Sequence, residues 1–208
     1  MHHIVPRLTA ARIVPVVRAS TAARAATAVA WLQEAGITTF EITMTVPEAP
    51  ALIRALASDP SLLVGAGTVP DARTADACLE AGARFIVAPW VDADLAAPVK
   101  AAGACLMLGA LTPTEVRAAL AAGADVVKIF PAASAGGPSH IKALRAVFPD
   151  VAFCPTGGVD ARNATDYLAA GAAFVGIGGR LVDEALIAAG DRAAVQRAAE
   201  DALGIMRA

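Results

Sequence analysis

The chain has 208 residues, of which 57% are hydrophobic and 17% charged, with a formal net charge of −2. That composition excludes a disordered chain and suffices for one domain with a substantial core. A near-neutral charge without a basic block excludes nucleic acid and anionic membrane surfaces as partners, and no apolar run reaches the roughly 20 residues that cross a bilayer.

The N-terminus lacks a cleavable signal pattern. Cys78, Cys105 and Cys154 are odd in number and far apart, which fits reduced cytoplasmic thiols better than disulfides or a metal site. Apart from His2 and His3 at the N-terminus the only histidine is His140, so no metal centre is expected.

A segment of about residues 1–11 precedes the first predicted strand. Along the remainder, alanine-rich stretches end in glycine at Gly36, Gly82, Gly103, Gly123 and Gly171, and an apolar run follows each. This is a helix closed by a C′ glycine, followed by a strand. The pattern predicts strands at Ile13–Val17, Thr39–Thr43, Leu62–Gly67, Phe85–Ala88, Cys105–Leu108, Val126–Phe130, Ala152–Pro155 and Phe174–Gly176. Helices are predicted at Ala22–Glu34, Glu48–Ala57, Ala72–Glu80, Asp94–Ala101, Pro113–Ala121, Pro138–Val147, Ala161–Ala169 and Leu186–Ile205. Strict alternation implies a parallel sheet covered by helices, and eight units favour an α/β single-domain (β/α)8 TIM barrel over an open sheet.

Active residues of such barrels lie at the C-terminal strand ends and in the loops beyond. Those positions hold Arg18, Glu41, Thr43, Thr45, Thr68, Pro89, Lys128, Phe130, Pro131, Thr156, Gly157, Gly158, Gly178, Gly179 and Arg180. Lys128 is the anomaly, because it interrupts the apolar run Val126–Phe130 in a chain with 14 arginines and three lysines. A buried ammonium is costly, and a lysine that loses its proton becomes a nucleophile. Lys128 could equally snorkel to water or pair with a carboxylate. Glu41 faces the same rim and is either that ion-pair partner or a proton shuttle for an imine on Lys128. Two glycine pairs, in Thr156-Gly157-Gly158 and Gly178-Gly179-Arg180, follow the seventh and eighth predicted strands, where barrels commonly cradle phosphate.

Four motifs in order, Glu41-Ile42-Thr43-Met44-Thr45-Val46-Pro47, Gly65-Ala66-Gly67-Thr68-Val69, Lys128-Ile129-Phe130-Pro131 and Pro155-Thr156-Gly157-Gly158-Val159, resemble the 2-keto-3-deoxy-6-phosphogluconate / 4-hydroxy-2-oxoglutarate aldolases. The resemblance implies a homotrimeric barrel performing class I aldol cleavage with neither metal nor other cofactor. By it, Lys128 matches the Schiff-base lysine and Glu41 the acid/base. Thr68 matches a holder of the pyruvate carboxylate, and Pro89 and Phe130 shape the pocket. Gly157, Gly158 and the backbone of Gly178 and Gly179 match the phosphate cradle, and Thr156, which leads into the first glycine pair, is placed with them at the phosphate end. The chain departs from many members in two places. Thr45 stands where some carry a carboxylate-binding arginine, a charge Arg18 could supply. Gly179 stands where many carry serine, a contact Arg180 could replace. The expected reaction is cleavage of 2-keto-3-deoxy-6-phosphogluconate to pyruvate and glyceraldehyde 3-phosphate. Alternatives are the same chemistry on 2-keto-3-deoxy-6-phosphogalactonate or 4-hydroxy-2-oxoglutarate, and, in a different class, a phosphate-binding isomerase or synthase.

Overall fold

A computed structural model describes residues 2–179 and 181–207, in which eight parallel strands alternate with helices. The strands are β1 (Ile13–Val17), β2 (Thr39–Thr43), β3 (Leu63–Gly67), β4 (Phe85–Val87), β5 (Cys105–Ala110), β6 (Val126–Ile129), β7 (Phe153–Pro155) and β8 (Val175–Ile177). Sequence neighbours pair in the sheet, and β1 also pairs with β8. A bridge between Thr156 and Gly176 joins the last gap, so the sheet closes on itself. Every strand residue is buried, as barrel strands covered by helices must be.

The helices are α1 (Val5–Ala11), α2 (Ala22–Glu34), α3 (Ala49–Ala57), α4 (Ala72–Glu80), α5 (Ala96–Ala101), α6 (Pro113–Ala121), α7 (Pro138–Val147), α8 (Ala164–Ala169), α9 (Glu184–Ala188) and α10 (Arg192–Arg207). Their starts follow local chemistry. Thr21 and Asp71 accept from the backbone N–H groups of Arg24 and Thr74, and Thr112 with Glu115 forms a reciprocal capping box. Their ends follow the glycine punctuation: Gly36, Gly82, Gly103, Gly123 and Gly171 all have φ between 63° and 102°.

Several boundaries differ from the sequence expectation, each for a local reason. The helix expected from Asp94 begins as a 3₁₀ turn, Ala93–Leu95, started by the Asp92 carboxylate on the Asp94 N–H. The helix expected from Ala161 starts at Ala164, because Asp160 and Asn163 tie the preceding residues into a turn that also engages Arg162. The helix expected over Leu186–Ile205 is two: α9 starts earlier, under the Asp183 cap, and Gly190, at φ 72°, parts it from α10. Among the strands, β5 runs on to Ala110 and β6 stops at Ile129, which leaves Phe130 just beyond it.

The N-terminal segment forms α1. Ile4, Val5 and Leu8 pack against Val14, Leu63, Phe85, Cys105, Val126 and Phe174, the inward side chains near the N-terminal strand ends. This helix seals the barrel floor. Leu8 is fully buried there. Leu8→Ala is expected to lower unfolding stability by about 2–5 kcal/mol, read by urea denaturation, with kcat of the folded enzyme unchanged because the substitution lies at the opposite end from the mouth.

Candidate active site

Alternation along the strands decides which side chains enter the barrel. Phe40 and Ile42 on β2, and Val127 and Ile129 on β6, pack outward against the helices, which turns Glu41 and Lys128 inward. Lys128 Nζ lies 3.4 Å from Glu41 Oε1, and each residue is only 4% exposed. Snorkelling to solvent is therefore not what Lys128 does. The Phe130 ring stands with its centroid 5.8 Å from Nζ and is 42% exposed, so it forms the roof between the amine and the opening.

Room for these groups comes from inward positions that lack side chains. Gly109 is the register partner of Lys128, and a Cβ on it would overlap the Pro89 carbonyl. Pro89 can thus fold over the barrel beside Lys128. At Gly176 a Cβ would overlap the Thr156 hydroxyl, which instead sits over the glycine next to Cys154.

The rim residues divide into two groups. On one side, the buried Thr43 hydroxyl donates to the Val17 carbonyl at 3.1 Å and lies 2.7 Å from the Thr45 hydroxyl. Either hydroxyl can be the donor of that pair. Thr68, at the end of β3, holds φ at 55°, a left-handed conformation that costs a non-glycine residue on the order of 1–3 kcal/mol.

On the other side, a cleft of about 760 Å³ opens beside Phe130, lined by Arg18, Thr156 and the glycines Gly157, Gly158, Gly178 and Gly179. Gly157 and Gly158 have φ of 91° and 76°. Arg18 is exposed on this cleft; Arg180 lies outside the described residues. Asp183 and Glu184 also line it, but both carboxylates are engaged. Asp183 caps α9, while Glu184 accepts from the Ser20 N–H at 2.8 Å and from Arg24 at 3.1 Å. Hydrogen bonds from Ser20, with Arg24 adding its charge, hold the Glu184 carboxyl below the usual range. This clasp between the β1 and β8 loops escaped the sequence reading, in which the last helix began after Glu184. Among the described residues, no three His, Cys, Asp or Glu side chains gather as a metal-holding group.

A parallel barrel with an amine and a carboxylate buried together at its open end, beside a glycine-lined cleft, is an arrangement suited to the lysine-centred chemistry of the aldolase class. Comparison with known proteins is specific. The family model for KDPG and KHG aldolase matches residues 4–198. The 2-dehydro-3-deoxy-phosphogluconate aldolase of Pseudomonas aeruginosa is 37% identical over 93% of this chain and 88% of its own length. The 2-dehydro-3-deoxy-6-phosphogalactonate aldolase of Escherichia coli is 35% identical over 81% and 83%. A crystal structure of KDPG aldolase from Legionella pneumophila, with pyruvate captured as a covalent carbinolamine intermediate, superposes with a TM-score of 0.85 at 31% identity, covering 94% of this chain and 96% of that one. The chain belongs to the KDPG and KHG aldolase family.

The three thiols are buried and free. Burial pushes Cys78 up to about 11 and Cys154 up to about 12, and raises Cys105 further, with Asp125 adding to the effect. Their thiolate forms, the reactive ones, are scarce at neutral pH. Native protein at pH 8 is expected to leave all three unreacted with a disulfide reagent such as dithionitrobenzoate, and denatured protein to titrate three thiols per chain.

Proposed function

We propose that the chain is a class I aldolase that cleaves 2-keto-3-deoxy-6-phosphogluconate to pyruvate and glyceraldehyde 3-phosphate through an imine on Lys128. The observation that carries this reading is the buried Lys128 amine 3.4 Å from the buried Glu41 carboxylate, at the open end of the barrel. In the reaction, Nζ as the free amine attacks the C2 carbonyl carbon, the oxygen takes up one proton from the attacking nitrogen and a second from the acid, and it departs as water to leave an iminium. The C3–C4 bond then breaks. Its electron pair moves into the iminium to form an enamine, and the C4 hydroxyl gives up its proton as the aldehyde forms. Protonation at C3 and addition of water release pyruvate and the amine. Glu41 is the group that carries these protons, being the carboxylate within reach of the reacting nitrogen.

Pro89 and Phe130 enclose the imine, and the Gly157–Gly158 and Gly178–Gly179 pairs receive the phosphate through their backbone N–H groups. Thr68 and Arg18 hold the carboxylate. Thr45, 2.7 Å from the Thr43 hydroxyl, stands with them at the carboxylate end. The same reading carries a homotrimer, which light scattering checks against the 20.9 kDa chain mass.

Lys128→Ala is expected to abolish cleavage, and Glu41→Gln to slow kcat by about 10²–10⁴-fold, in a coupled assay for released pyruvate. An isomerase or synthase would not lose activity through Lys128 in this way. The relatives act by name on both phosphorylated sugar acids, and 4-hydroxy-2-oxoglutarate is the third candidate. A kcat/KM for the unphosphorylated acid equal to that for 2-keto-3-deoxy-6-phosphogluconate would remove phosphate from the cleft's role. Arg18→Ala is expected to weaken pyruvate binding about tenfold or more, the scale of a charge-assisted hydrogen bond. Unchanged pyruvate binding with weakened inhibition by inorganic phosphate would move Arg18 to the phosphate end.

A further inference from the structure

β3 carries two glycines, Gly65 and Gly67, either side of Ala66. Neither has a positive φ, so the backbone there suits any residue. Glycine in a strand interior is otherwise unfavourable, which leaves space as the reason for both. The spaces have different occupants. At Gly65 the three atoms nearest to a built Cβ all belong to the Phe85 ring, and at Gly67 all three belong to the Glu41 side chain. A Cβ at Gly67 would stand 2.6 Å from Glu41 Cγ and nearer still to the carboxyl carbon and Oε1. Such an approach is to the whole outer half of the side chain, so a small rotation of the carboxylate does not relieve it.

Register explains why Glu41 lies there. Glu41 pairs with Gly65 across the β2–β3 ladder, but the space over Gly65 is filled by Phe85. The carboxylate therefore leans one inward position toward the barrel mouth, over Gly67, the partner of Thr43. From that seat it meets Lys128 Nζ at 3.4 Å. We infer that Gly67 is a positioning residue for the aldol reaction: its missing side chain is the recess that holds the Glu41 carboxylate at the reacting amine. The inference rests on the reading of Glu41 as the proton carrier. Gly67 touches no substrate and acts through Glu41 alone.

Its test is a double-mutant cycle of Gly67→Ala and Glu41→Ala, with cleavage of 2-keto-3-deoxy-6-phosphogluconate and thermal unfolding measured for all four proteins. Gly67→Ala is expected to lower kcat about 100-fold with KM little changed, the scale of misplacing a reacting group by about 1 Å. In the Glu41→Ala background the same substitution is expected to cost nothing further in kcat, and nothing in Tm, because the atoms it would overlap are gone. Should Gly67→Ala alone fail to fold, recovery of a folded protein in Gly67→Ala/Glu41→Ala supports the recess, and failure of that double variant to fold overturns it. Equal losses of kcat and Tm from Gly67→Ala in both backgrounds would show a strand effect independent of Glu41 and overturn the inference while leaving the aldolase reading intact. Wild-type kcat in Glu41→Ala would overturn both the role of Glu41 and this one.

Discussion

A lysine and a glutamate held 3.4 Å apart inside a parallel barrel are a constraint that the surrounding structure must satisfy. Withdrawing each ion from water costs several kcal/mol even after relaxation, and their attraction offsets this only where the geometry is good. Hydrophobic residues of similar volume would serve stability as well. The pair is therefore better explained by chemistry than by folding, and the fold accommodates it with vacant positions at Gly67 and Gly109 rather than with further polar partners. Among the described residues no buried side-chain nitrogen or oxygen lacks a hydrogen-bond partner.

The two barrel ends differ in kind. At the floor, α1 presses Val5 and Leu8 onto the first inward layer, so apolar packing is concentrated below the amine. At the mouth, irregular backbone takes over: the left-handed Thr68, the glycine pairs after β7 and β8, and the clasp of Ser20 and Arg24 on Glu184. That clasp holds the β1 and β8 loops together at one side of the cleft, which also carries Arg18. The exposed Arg24–Glu184 pair by itself is worth little, and its effect is to fix the position of the Glu184 carboxylate, whose charge would otherwise face an incoming anion.

Much of this was legible in the sequence because the signals were local. C′ glycines marked five helix ends, β-branched runs marked the strands, and Lys128 stood out from an apolar run. Helix α1 was missed because seven residues, Val5–Ala11, are too few to display a helical period. Gly190 was passed over although it repeats the same punctuation, since no strand follows it. The contacts of Thr43 with Val17 and with Thr45 become visible only in the β1–β2 register. Gly65 and Gly67 read alike in sequence, as aids to close strand packing. Their separate occupants, Phe85 and Glu41, become visible only when the inward neighbours of each strand are known.

The most direct measurement of the central claim is borohydride reduction of the protein in the presence of pyruvate, followed by peptide mass spectrometry. Three lysines, Lys100, Lys128 and Lys142, make the assignment unambiguous, and the other two are exposed on α5 and α7. The account predicts a reduced pyruvyl adduct on Lys128 alone. No adduct on a folded protein, or one shared among all three lysines, would contradict it.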